Sequence, residues 1–200
     1  MKSIREIKEF LSMTEGENIL RRYFVMNGFD GALTALGIIL GSFIVSVSGE
    51  TDLESVKILI STGIGASIAM GVSGFWIAYL TEKAERTKER KELEQKMVTD
   101  LNNTRISRAN FWTSLVIAVV DGISPFMFSV LALLPIFFVF VGLPLMIAYI
   151  ISFCVIGVEV IILGLFLGAV SKENKLIYAL KIIPAALLVA GLTFLLELFW

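Results

Sequence analysis

The sequence predicts an all-α integral membrane bundle of five transmembrane helices, with an N-terminal amphipathic helix and a cytoplasmic helical extension of span 2. Three observations predict it. The chain is 56% hydrophobic, with a mean hydropathy of +0.85, against roughly 45–50% apolar content in an ordinary soluble domain. Its 200 residues are too few to hide that much apolar surface in one globular core. Long stretches carry no charge: 31–49, 58–81 and 182–196, while 109–171 holds only Asp121 and Glu159. A span needs roughly 20 mostly apolar residues to cross about 30 Å of hydrocarbon. These stretches supply five such segments, the longest providing two.

The elements follow in order. In 1–24, Ile4, Ile7, Phe10 and Leu11 recur at helical spacing between Lys2, Arg5, Glu6, Lys8 and Glu9, the pattern of an amphipathic helix lying in the membrane interface. The Thr-Glu-Gly-Glu of 14–17 is the expected break. Because 1–24 is polar and charged, the first span is expected to serve as its own insertion signal. Span 1 is expected over 25–47 and span 2 over 56–80. The segment 82–100 is rich in Glu, Lys and Arg and lacks Gly and Pro, so it reads as a helix continuing out of span 2, within a cytoplasmic segment 82–108. The long apolar block turns at the Val-Gly-Leu-Pro of 141–144. That gives span 3 over 109–138 and span 4 over 144–170. Span 3 is long, and tilt or a kink at Pro125 or Pro135 is expected. Span 5 covers 176–200, with Pro184 near its start. The spans 25–81 and 109–200 leave no room for a separate soluble domain.

Orientation follows from the positive charges, which stay preferentially on the cytoplasmic side. Of the 17 Lys and Arg, all but Lys57 fall in the N-terminal arm, the loop between spans 2 and 3, and the final loop or the start of span 5. Five spans with a cytoplasmic N-terminus and an outside C-terminus put every one of them inside except Lys57. Short loops favour a prokaryotic plasma membrane.

Composition also excludes chemistry. The chain has no histidine, which rules out His catalysis, His metal ligands and His pH switches. Its single cysteine, Cys154, permits no intrachain disulfide and reads as a small core residue. With no His and no convincing nucleophile–base pair, an intramembrane enzyme is not expected. Nor is a permanently bound cofactor or a nucleic-acid partner.

A charge inside a span costs about 2.5–3.5 kcal/mol on insertion scales and is a functional candidate by default. The candidates are Asp30 in span 1, Asp121 in span 3 and Glu159 in span 4; Glu197, close to the end of span 5, is read as reaching water. No Lys or Arg lies in the core of the spans, so these acids must be protonated, hydrogen-bonded or neutralised by a bound cation. Desolvation favours the protonated acid, which can exchange its proton for a metal ion. Met70 in span 2 would be a soft partner beside a carboxylate, a donor set suited to Fe(II) or Mn(II). Glu82, Glu85, Glu89 and Glu92 fall at spacings that share a helix face. They form either a cation-collecting strip or a solvated face with Glu82–Arg86 and Glu92–Lys96 pairs. Gly28, Gly31, Gly37, Gly41 and Gly71 read as sites of close helix approach, Gly37 and Gly41 at GxxxG spacing. Asp30-Gly31 with Gly71-Val72, and Asp121-Gly122 with Gly157-Val158, suggest a parallel repeat of spans 1–2 and 3–4.

The run Ile19-Leu-Arg-Arg-Tyr-Phe-Val-Met-Asn-Gly-Phe-Asp-Gly-Ala-Leu-Thr-Ala-Leu-Gly37 resembles the first span of the vacuolar iron transporter family, which includes plant vacuolar iron transporters and yeast vacuolar iron/manganese importers. The family form G-x-x-D-G-x-x-T is met by Gly28, Asp30, Gly31 and Thr34. Ala66-Ser-Ile-Ala-Met-Gly71, followed by a charged helix, is similar to its second span. The resemblance is clear over about 19–95 and architectural over 109–200. It implies a homodimer with the ion path at the subunit interface, lined by Asp30 and Met70. It also implies cytoplasmic glutamates that gather metal, and proton-coupled export from the cytosol. Two departures stand out. Ser73-Gly74 occupies the place where the family usually has Gly-Glu, with Asp121 and Glu159 as candidate replacements for that acid. The cytoplasmic insert is also short. Residues and resemblance together predict an Fe2+ or Mn2+ transporter acting as a proton antiporter in the lipid bilayer. The alternative is a non-transporting membrane assembly or scaffold protein.

Overall fold

A computed structural model describes residues 4–47, 49 and 53–198. The described residues are almost wholly helical: α1 Ile4–Met13, α2 Gly16–Val47, α3 Leu53–Met97, α4 Arg105–Phe137, a short 3₁₀ turn Phe138–Val141, α5 Leu145–Ser171 and α6 Lys175–Leu198. The last five α-helices are each long and apolar enough to cross a membrane, which marks the chain as an integral membrane protein. Helix ends do not coincide with the ends of the apolar runs. α2 begins at Gly16, ahead of Arg21 and Arg22, and α3 runs unbroken for 45 residues through the charged stretch to Met97. Hydropathy marks where lipid begins. A helix stops only where capping or backbone geometry stops it. Here the stops are Glu15 (φ 51°), Val98 (φ 52°), Gly142 (φ 101°) and Lys172 (φ 58°), all in the left-handed region. At Gly142, which needs no Cβ there, the turn closes with Gly142 N–H donating to Val139 O and Leu143 N–H to Phe138 O, both 3.1 Å. Pro125 and Pro135 both lie inside α4 and Pro184 inside α6.

The chain forms two compact units. The first joins 4–26 with 71–123 and combines buried apolar residues such as Phe10, Ile117 and Ala118 with several polar contacts. Thr14 Oγ1 donates to Phe10 O (2.8 Å) and lies 2.9 Å from Thr113 Oγ1, tying the α1–α2 corner to α4. Phe10 is buried there, while Arg5, Lys8 and Glu9 are exposed. Arg105 donates to Glu9 at 2.6 Å.

The second unit joins 27–70 with 124–198, and its core is apolar. Ala32, Ala35 and Ile39 of α2, Leu59 and Ile60 of α3, Leu133 and Ile136 of α4, and Tyr149, Ile156 and Val160 of α5 form one buried cluster. Small residues set the helix spacing. A Cβ on Gly31 would stand 2.3 Å from Pro125 O, so backbone meets backbone. Gly164 and Gly168 of α5 lie against Ala179 and Lys175 of α6, which fixes an antiparallel hairpin. Gly37 and Gly41 face Val189 and Thr193 of α6 at ordinary contact distance.

Candidate functional site

In the apolar unit, Ser129 Oγ donates to Ser67 Oγ at 2.6 Å, and Leu133 packs on Gly63. These two contacts set α3 antiparallel to α4. About one turn further in that register, Met70 reaches the level of Pro125. Gly31 is packed on Pro125 itself, so Asp30 and Met70 share one depth. Asp30 is exposed and Met70 half-buried. On α5, the Tyr149 hydroxyl is 2.8 Å from Ser42 Oγ and 2.9 Å from Ser46 Oγ. The α6 contacts run parallel to α2 and antiparallel to α5, so α2 and α5 run in opposite directions. Moving about 15 Å along α5 from Tyr149 brings Glu159 near the level of Thr34, one turn from Asp30. Three of the acid and thioether positions singled out in the sequence therefore fall within about one helical turn of depth.

Their environments differ. Glu159 is 6% exposed, and among the described residues neither carboxylate oxygen has a hydrogen-bond partner. The hydroxyls of Ser124 and Ser152 in the same unit are likewise buried and unpaired. A carboxyl in such a place has lost its water without gaining a donor, a costly arrangement for the charged form. Cys154, expected in the core, is instead exposed on α5. Its position falls between the buried Ser152 and Ile156 and therefore on the opposite side of the helix.

In the other unit, Asp121 is buried at 4% exposure. A Cβ built on Gly74 would stand 3.1 Å from Asp121 Oδ2 and 3.1 Å from its carbonyl oxygen. The Asp121 carboxyl thus lies over the bare backbone of position 74. Next to it, a Cβ on Gly122 would stand 2.6 Å from Gly71 O and 2.8 Å from Phe75 Cβ. The two Asp-Gly pairs share a plan, each glycine making the close helix approach beside its aspartate.

The four glutamates of the charged stretch do not share one environment. Glu82 is buried at 8% exposure with Arg86 Nη2 3.3 Å away, whereas Glu85, Glu89 and Glu92 are exposed. Glu85 lies 3.8 Å from Lys88. Arg86, itself 4% exposed, also donates to Thr14 O at 3.4 Å. Among the described residues, no group of three or more Cys, Asp or Glu is gathered closely enough to hold a metal ion. Sequence reasoning missed the burial of Arg86 and the polar serines Ser124, Ser129 and Ser152, and read Ser67 only as part of a small-residue packing stripe with Gly63 and Gly71. The signal for the serines was their recurrence inside otherwise charge-free runs.

Across the whole chain, no family model matches and no solved structure matches. The uncharacterized protein MJ0645 of Methanocaldococcus jannaschii is 32% identical over 196 residues, covering 96% of each chain. The chain belongs to the MJ0645 family. Its similarity to MJ0645 runs nearly end to end, through all six helices rather than through one segment.

Proposed function

We propose that this chain is a divalent-cation transporter that moves Fe2+ or Mn2+ out of the cytosol in exchange for protons, working as a homodimer. The observation that carries the reading is the layer of Asp30, Met70 and Glu159 within about one turn of depth, in spans that hold no Lys or Arg at that level. An exposed carboxylate on a membrane helix is costly. A second copy covering that face of α2 offsets the cost and brings two Asp30 and two Met70 side chains to one path. A carboxylate with a thioether suits a first-row divalent ion as substrate. Glu159 and Asp121 act as proton and cation relays, Asp121 standing in for the acid that position 74 lacks. Glu85, Glu89 and Glu92, exposed on the charged end of α3, gather cations from the cytosol, with Glu82 held back in its pair with Arg86. In this reading α1 is the interfacial amphipathic helix and the charged end of α3 is cytoplasmic. The N-terminus lies inside and the C-terminus outside a prokaryotic plasma membrane, as the distribution of positive residues supports. The test is Mn2+ or Fe2+ movement in proteoliposomes under an imposed pH gradient. Wild type is expected to take up metal and Asp30→Ala to fall to background. Equal uptake by both defeats the reading.

A second reading, a non-transporting assembly or scaffold protein, is favoured by the glycines. Gly31 and Gly122 are consumed in packing within the chain. It expects Asp30→Asn to be harmless and metal analysis of the purified protein to find none.

A further inference from the structure

In the polar unit a cavity of about 210 Å³ opens between α3 and α4. Its wall carries Lys83, Arg86 and Arg90 from α3, with Ser107 and Asn110 from α4 and Tyr79 at one side, and no carboxylate. We propose that this cavity binds the anionic phosphodiester headgroup of a membrane lipid.

The donors are there and under-used. Arg86 reaches Thr14 O only at 3.4 Å, and its Nε has no hydrogen-bond partner among the described residues. Arg90 reaches Ser107 Oγ at 3.4 Å, its Nε stands 3.7 Å from Glu94 Oε1, and that Nε also lacks a hydrogen bond. A guanidinium carries five donors in a planar fork that matches a phosphate's oxygens. Lys83 is exposed at the mouth, its Nζ 5.5 Å from the centre of the Tyr79 ring. The charges also match. Glu82 and Glu94, each beside one of the arginines outside the cavity wall, leave one positive charge in surplus, and a phosphodiester carries a single negative charge.

The cavity's position selects a lipid over a free anion. It lies where α3 passes from the charge-free stretch ending at Thr81 into the charged one beginning at Glu82, the level at which headgroups sit. Phe111 (49% exposed) lines it together with Tyr79, as aromatic residues do at membrane interfaces. Basic pockets between membrane helices on the positive side hold anionic headgroups by the same physics.

The test is native mass spectrometry of the full-length protein in detergent, titrated with phosphatidylglycerol or phosphatidylcholine. Phosphatidylglycerol is expected to bind in preference. The double variant Lys83→Gln/Arg90→Gln is expected to weaken it roughly thirty-fold, about fivefold per cation. Lys91→Gln, an exposed change outside the cavity wall, is expected to leave binding unchanged. Arg86 is kept because Glu82 depends on it. Should the double variant unfold, Lys83→Gln alone, at an exposed position, still loses about fivefold. Equal binding of the two lipids, or full retention of phosphatidylglycerol by the variants, overturns the proposal. Displacement of the lipid by millimolar inorganic phosphate also overturns it, since the site would then serve a free anion. Metal transport does not enter any of these readouts.

Discussion

The two units bury their charges differently: the buried Glu82 of one has a cationic partner, and the buried Glu159 of the other has none among the described residues. In the unit of 4–26 and 71–123, the buried Glu82 and Arg86 form an ion pair and Arg86 also donates to Thr14 O, although Arg86 Nε and Arg90 Nε have no hydrogen-bond partner among the described residues. In the unit of 27–70 and 124–198, some polar groups are paired, as Ser67 is with Ser129. Glu159, Ser124 and Ser152 are buried with no hydrogen-bond partner among the described residues. Satisfied buried charges build structure, because removing one member strands the other. An unsatisfied buried acid destabilises the fold that holds it, so its presence asks for a reason other than stability.

The sharpest way to break this contrast is Arg86→Met. It leaves Glu82 buried without its partner and is expected to cost about 3–5 kcal/mol, read as earlier denaturant unfolding in detergent. Adding Glu82→Gln is expected to recover much of the loss. If Arg86→Met unfolds no earlier than wild type, the pair does not hold the unit together. Next in size is Gly31→Ala, which forces a methyl onto the Pro125 carbonyl and is expected to cost about 1–3 kcal/mol. Gly65→Ala, with open space around it, is expected to stay within about 0.5 kcal/mol of wild type. Equal melting temperatures for the two glycine variants would dissolve the distinction between packed and open glycines. Ser67→Ala is expected to cost about 1 kcal/mol by removing the Ser129–Ser67 hydrogen bond, leaving Ser129 only its 3.3 Å bond to Phe126 O. Glu159→Leu goes the other way: stability is expected to rise by about 1 kcal/mol and, on the proposed transporter reading, metal uptake in proteoliposomes under a pH gradient to fall to background. A loss of stability in that variant would make Glu159 a structural residue and remove the contrast between the units.

Much of this architecture was legible in the residues. The charge-free runs locate the five long helices, and Val-Gly-Leu-Pro at 141–144 marks the turn between α4 and α5. The start of α2 was not legible at 16, because Arg21 and Arg22 mark the edge of the apolar run without interrupting helical backbone. Glycine spacing did not separate Gly31 and Gly122, pressed on neighbouring backbone, from Gly65 and Gly157, which face open space. Spacing gives the face of a helix and says nothing of what lies opposite it. The i, i+4 relation of Glu82 and Arg86 was visible, but their burial depends on Thr14 and Asn110, far away in sequence. The opposition of Asp121 and Gly74 depends in the same way on the register of α3 against α4, which no local pattern encodes.

The hairpin of α5 and α6 has a consequence for how the chain is made. Gly164 meets Ala179 and Gly168 meets Lys175, contacts between residues close in sequence, so closing the loop between them costs little entropy. Local contacts of this kind form early. As these two helices leave the ribosome, they can zip together as a preassembled pair, independent of how far the earlier segments have matured.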